Sequence, residues 1–133
     1  MQRLIYASKN KIEVDVDVGC GQIVAAATIR NAQLNLTGAL IFTGTHFAQV
    51  LEGDPKNIDI LMASVKRDPR HQMLSVVHQS PAAERLFPDW KMAYQGPSRF
   101  VSRHVTDLIE AEFGSNQRQA TDWLVKLARE FSV

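Results

Sequence analysis

An α+β fold, with strands and helices in the order βαββαββ and two more helices after them, is what this chain of 133 residues predicts. Three observations carry that prediction. Stretches such as "RLIYAS" and "LTGALIF" have strand length and strand character, whereas "DPKNIDILMASVKRD" repeats its apolar residues at helical spacing. The two patterns interleave along the chain. The first six elements then match the ferredoxin-like βαββαβ arrangement, a sheet with two helices packed on one face.

Residues 3–8, "RLIYAS", make the first strand. Arg3, Ile5 and Ala7 face one way and Leu4, Tyr6 and Ser8 the other, because strand side chains alternate. "NKIEVDVDVGCG" places Val14, Val16 and Val18 at strand period, but Gly19 and Gly21 follow at once. It reads as an extended loop or short edge segment leading into a helix. That helix runs from Gln22 to about Gln33, rich in alanine, with Ile23, Ala26, Ala27 and Arg30 along one side. "LTGALIFTGTHFAQVLEG" reads as two strands turning at Thr43-Gly44-Thr45, a hairpin.

The second helix is the clearest element. Asp54 caps it, Pro55 suits its first turn, and Ile58, Leu61, Met62 and Val65 follow at i, i+3, i+4 and i+7 before Pro69 ends it. Residues 71–80 and 90–95 read as strands separated by "PAAERLFPD", and Gly96-Pro97 marks a boundary. Beyond it, Val101, Val105, Leu108 and Ile109 line one helix. Ala120, Trp123, Leu124, Leu127, Ala128 and Phe131 line another. That last stripe is too apolar to stay in water, so it covers the bare sheet face or meets a partner chain.

Bulk composition narrows the function. Net charge is +1 with no long run of one sign, which argues against nucleic-acid or anionic-membrane binding as the main task. The single cysteine, Cys20, excludes an internal disulfide framework and fits a reducing cytoplasm. No stretch approaches the ~20 apolar residues of a membrane span, and "MQRLIYASKN" lacks a signal-peptide core, so a cytoplasmic protein is expected. His46, His71, His78 and His104 show no metal-ligand spacing. There is no GxSxG, P-loop or GxGxxG. Aromatic and basic residues are not interleaved as in an RNA-binding sheet.

The inward polar residues carry the remaining information. Phe47, Gln49 and Leu51 share a strand face, so Gln49 points at the core if its neighbours do. An unpaired buried amide costs roughly 1–3 kcal/mol, so Gln49 needs partners. Tyr6 on the first strand is one candidate. The residues leave two readings open: a structural bond stitching two strands, or a pair that holds a polar ligand edge and rearranges without moving net charge. Asn31, beside Arg30, is either a helix cap or a ligand contact. Arg67, Asp68, Arg70 and His71 form either a solvated loop or a seat for a phosphate or polar ligand tail. Trp90 and Met92, two apart on the last sheet strand, pack the core or report on a pocket. Glu52 is a lone acid with no obvious second carboxylate.

"LIYAS", "IRN", "LTGALIF", "HFAQVLEGD", "DPRH" and "RLFPDWKM", in this order and spacing, resemble the BLUF domain, a family of flavin-binding blue-light sensors. The resemblance covers roughly residues 1–95. It implies a photosensory domain over 1–96, a C-terminal helical extension over 97–133 serving as a cap or a partner surface, and noncovalent FAD (or FMN). It further implies that Tyr6 donates an electron and a proton to the excited flavin and that Gln49 links Tyr6 to the ring. Asn31 would bond the ring's polar edge. Arg30, Arg67, Asp68, Arg70 and His71 would line the far edge, ribityl chain and phosphate, with Ile23 and Phe47 as apolar contacts. Trp90 and Met92 would pass the signal outward. "KIEVDVDVGCG", Ala48, Lys91 and Ala93-Tyr94 depart from the usual pattern without touching a photocycle residue.

The expectation is a stand-alone short photoreceptor with no enzymatic activity of its own. It would signal through a partner protein or a change in homo-oligomeric assembly, without nucleic acid or membrane. Two alternatives remain. One is a small ferredoxin-like hydrolase of the acylphosphatase kind, with Arg30 and Asn31 gripping phosphate, although the glycine-rich anion loop is missing. The other is a light-blind descendant that keeps the fold as an interaction module.

Overall fold

The computed structural model describes residues 1–10, 16–43, 46–68, 71–95, 122, 125 and 126. Its elements are β1 (Gln2–Asn10), α1 (Val16–Gln33), β2 (Thr37–Phe42), β3 (His46–Gly53), α2 (Pro55–Arg67), β4 (His71–Pro81) and β5 (Trp90–Gln95). The sheet order is β4-β1-β3-β2-β5. The first four strands pair antiparallel, and β5 joins the outer edge of β2 in parallel. This is the expected ferredoxin-like sheet with one strand added.

Strand register separates the two faces. Leu4, Tyr6 and Ser8 stand opposite Leu51, Gln49 and Phe47, while Ile5 and Ala7 stand opposite Val50 and Ala48. The first set faces the helices. Leu4, Tyr6, Leu36 and Leu51 form one apolar cluster with Ile58, Leu61, Met62 and Val65 of α2. The four α2 residues are those the helical spacing selects, and burying each stabilises the fold by about 1.5–3 kcal/mol. Asp54 caps the helix as expected, its Oδ1 accepting from Lys56 N at 2.8 Å. On the opposite face Ile5, Ala7, Ala39, Ile41, Ala48 and Val50 are buried as well.

Asp122 lies close enough to His78 of β4 to offset part of the fall in its imidazole pKa, a fall caused first by burial and then by Arg3. The predicted C-terminal helices otherwise fall outside the described residues. So do residues 11–15, Gly44 and Thr45 of the hairpin turn, and Pro69 and Arg70.

Three features of α1 differ from the sequence expectation. The helix starts at Val16, not Gln22, so Val16 and Val18 are helical despite their strand-like alternation. Extending a docked helix gains about one hydrogen bond for each residue fixed, and this outweighs roughly 1 kcal/mol for each glycine at positions 19 and 21. Among the α1 side chains described, Ala27 and Asn31 are buried and Arg30 is half-buried, whereas Ala26 is exposed.

The helix terminator is Asn35, at φ 51°, not Asn31. Leu36 N donates to Asn31 O at 2.9 Å and Asn35 N to Ala32 O at 3.2 Å, the paired bonds of a Schellman motif. That turn drives Leu36 into the core cluster and leaves the Asn31 side chain uninvolved in capping.

Two close approaches fix the start of β2 and the end of β3. A Cβ at Gly38, φ 149°, would be driven into the Val50 carbonyl, and one at Gly53 would meet Leu36 Cδ2 at 2.5 Å. Among the described residues, no helix is long and apolar enough to cross a membrane, and no cluster of His, Cys, Asp and Glu could hold a metal ion.

Candidate functional site

Tyr6 lies on β1, between β4 and β3, and its partner across β3 is Gln49. Directly opposed strand residues on one face have Cβ atoms about 5 Å apart, within reach of two long polar side chains. The Tyr6 hydroxyl donates to Gln49 Oε1 at 2.6 Å, and both residues are buried. Burial pushes the phenol pKa well above its ordinary value; the Arg30 charge pulls it partly back, and Asp68 pushes it further up. The phenol is therefore protonated at neutral pH and acts as the donor. That direction turns the carbonyl end of the Gln49 amide toward Tyr6 and the amino end away.

The amino end is where the protein runs out of partners. Gln49 Nε2 is buried with no hydrogen-bond partner, as are Asn31 Oδ1 and Nδ2 and Trp90 Nε1. Each unsatisfied buried group costs about 1–3 kcal/mol, so four near one sheet face call for a ligand or a rearrangement that satisfies them. Gln49 offers a donor, and Asn31 offers a donor beside an acceptor. This set fits the edge of a planar heteroaromatic ring that presents carbonyl oxygens, a ring nitrogen acceptor and a ring N–H. A flavin has such an edge.

The other expected residues fall around this pair unevenly. Phe47, on the same face as Gln49, stacks on Phe42 with ring centroids 4.5 Å apart. Trp90 packs against the cluster that contains Tyr6, and its register partner is Gly38. Met92 pairs with Leu40, which itself pairs with Gln49. Arg30, in the last turn of α1, donates from Nη1 to Ser64 Oγ on α2 at 3.2 Å. Asp68 is the half-buried C-cap of α2, and Arg67 is exposed beside it. His71 begins β4 opposite Asn10. The side chains of Ile23, His71 and Met92, and all of Arg70, lie outside the described residues.

Two residues that matter here are missed by sequence reasoning. Ser64 is the one hydroxyl residue on α2, and its spacing gives no hint that it reaches α1. Glu52 is completely buried, accepting from Arg3 Nη2 at 2.8 Å and from the backbone N–H groups of Leu86 and Phe87. It clamps the segment that leads into β5. An acid alternating out of an apolar strand is a visible signal, but its partners sit more than thirty residues away in sequence.

Comparison with known proteins identifies the family. A family model described as sensors of blue-light using FAD matches residues 1–93. The photoactivated adenylate cyclase subunit beta of Euglena gracilis is 32% identical over 93 residues, covering 69% of this chain and 11% of that protein. The chain therefore corresponds to about a tenth of that relative's length. Among solved structures, the dark state of the BLUF protein BlrB is 28% identical with a TM-score of 0.75, covering 97% of this chain and 95% of the other. BlrP1 of Klebsiella pneumoniae, with FMN and cyclic diGMP, is 26% identical with a TM-score of 0.66, covering 99% of this chain and 30% of that one. With its sheet order, its buried Tyr6–Gln49 pair and a family match over most of its length, the chain belongs to the BLUF family of blue-light sensors.

Proposed function

We propose that this protein senses blue light through a noncovalent flavin held against Tyr6 and Gln49, and that Gln49 stores the light signal. The observation that carries the proposal is the buried 2.6 Å bond from Tyr6 to Gln49 Oε1, with the other end of the amide unpartnered. FAD is the proposed cofactor, in line with the family's description, and FMN is the second candidate. When bound, a flavin supplies blue absorption and becomes a strong oxidant on excitation.

Tyr6 would be the source of one electron and its phenolic proton, both of which return when the state decays, so no product leaves. Gln49 would reorganise between these events. Rotating its amide exchanges the positions of Oε1 and Nε2, and the phenol oxygen then accepts a hydrogen bond where it previously donated one. Both arrangements are satisfiable, which makes the pair a two-state element. Asn31 and Phe47 would hold the ring, as polar edge and apolar contact. Ile23, Arg30, Arg67, Asp68, Arg70 and His71 would line the remainder. Trp90 and Met92 stand on the strand two positions from Gln49 across the sheet, and a change there biases the edge of the fold.

Residues 1–96 would form the photosensory unit and 97–133 the extension that covers the second sheet face or meets a partner. The buried apolar side chains on that face support this division. A downstream protein or a second copy of the chain would receive the signal in a cytoplasmic setting, with no catalysis by this chain. The acylphosphatase-type alternative has lost its ground to the family match.

The direct test is the absorption spectrum of the purified protein. A bound-flavin spectrum that moves reversibly to the red under blue light is expected, with the released flavin identified by chromatography. A yellow protein with no shift would reduce the fold to an interaction module.

A further inference from the structure

The Arg30–Ser64 bond joins the last turn of α1 to α2, the two helices that flank the unpartnered polar atoms. Arg30 directly precedes Asn31, whose side chain is buried with nothing to bond. The remaining inward residues of α2 are Ile58, Leu61, Met62 and Val65, all apolar. Two polar side chains of α2 reach the end of α1: Asn57 Nδ2 donates to the Leu34 carbonyl at 3.0 Å, and Ser64 is the one that engages a charged side chain, Arg30. An arginine side chain has several rotatable bonds, and its guanidinium loses considerable rotamer freedom when it binds a ligand. A fixed acceptor on the facing helix bears that ordering cost in advance. The Ser64 bond turns the guanidinium toward α2, and its charge is felt at the Tyr6 phenol.

We propose that Ser64 is a positioning residue for the cofactor, holding the Arg30 guanidinium between α1 and α2 so that it donates to the acceptor oxygens of the flavin. An arginine fork has five N–H donors and no acceptor, so engaging one nitrogen with Ser64 is compatible with donation to carbonyl or phosphate oxygens from others. Ser64 acts through Arg30, and the inference rests on the flavin assignment made above.

The rate of flavin release after dilution, followed by recovery of free-flavin fluorescence, tests it. Ser64→Ala is expected to speed release by about tenfold, the scale of one hydrogen bond involving a charged group. Ser64→Thr, which keeps the hydroxyl, restores the slow rate. Arg30→Gln accelerates release at least as much, and Arg30→Gln combined with Ser64→Ala is no faster than Arg30→Gln alone.

A release rate unchanged by Ser64→Ala, with a lower melting midpoint in the flavin-free protein, would make Ser64 a helix-to-helix strut and overturn the proposal. Additive effects in the double variant would overturn it too, by giving Ser64 a role independent of Arg30. Failure of the unaltered protein to hold any flavin would be seen first and would remove the parent assignment as well.

Discussion

Gln49→Leu is expected to keep its flavin and lose the light-induced red shift altogether. Leucine has nearly the volume of glutamine, so the packing between Phe47 and Leu51 survives, but it has no atom that can exchange donor for acceptor. Tyr6 loses the acceptor at 2.6 Å, and the position now held by Nε2 loses its N–H. The loss of one net hydrogen bond costs about 1 kcal/mol of stability, a modest sum beside the all-or-none loss of the switch. Flavin content, the melting midpoint and the light-minus-dark difference spectrum measure the three consequences separately. A normal, reversible red shift in this variant would remove Gln49 from the mechanism. Tyr6→Phe complements it: the ring and its packing stay, while the proton that a phenol supplies is gone, so the shift is again expected to vanish.

The largest stability effect is expected at Glu52. Its carboxylate is fully buried and takes hydrogen bonds from Arg3 Nε at 3.1 Å, Arg3 Nη2 at 2.8 Å, Leu86 N at 2.9 Å and Phe87 N at 2.9 Å. Glu52→Ala removes one acceptor and strands several donors, among them a guanidinium that is only partly exposed. Breaking a buried pair from one side costs about 3–5 kcal/mol, because the remaining groups keep their desolvation penalty. For a chain of this size that corresponds to a fall of roughly 10–20 °C in melting midpoint.

The clamp also holds the segment that enters β5, where Asp89 O accepts from Gly38 N at 3.1 Å and Trp90 packs on the core. Loosened packing of Trp90 should accompany the stability loss and be readable in its fluorescence. Arg85→Ala is the control: its bonds go to Thr37 Oγ1, Glu52 O and Asn35 O, at the rim of the same knot. A smaller cost is expected there. A loss below about 1 kcal/mol for Glu52→Ala would mean that water replaces the carboxylate, and the clamp would lose its structural meaning.

Much of this architecture was legible in the residues. Helix α2 announced its cap, its first-turn proline and its buried face, because local spacing and local capping decide those features. The facing of Tyr6 and Gln49 followed from strand alternation. Their partnership needed the register of β1 on β3, which depends on residues 43 positions apart. The motif order supplied the family, and with it roles that no spacing rule contains.

Other features were set by distant contacts. Val16–Gly21 looked extended locally but belongs to a helix, since propagation from a docked segment overrides weak propensity. Asn31 could be read locally as a cap or as a ligand contact; Asn35 takes the left-handed capping position, and the buried Asn31 amide is left without a partner. Glu52 looked like an isolated acid, and its partners arrive from the far end of β1 and from the segment before β5. Side-chain periodicity and end chemistry are local properties, written within a few residues of where they act. Which buried polar atoms find partners, and which are left for a ligand, depends on how separate segments meet, and that is settled when the sheet and its two helices close on one another.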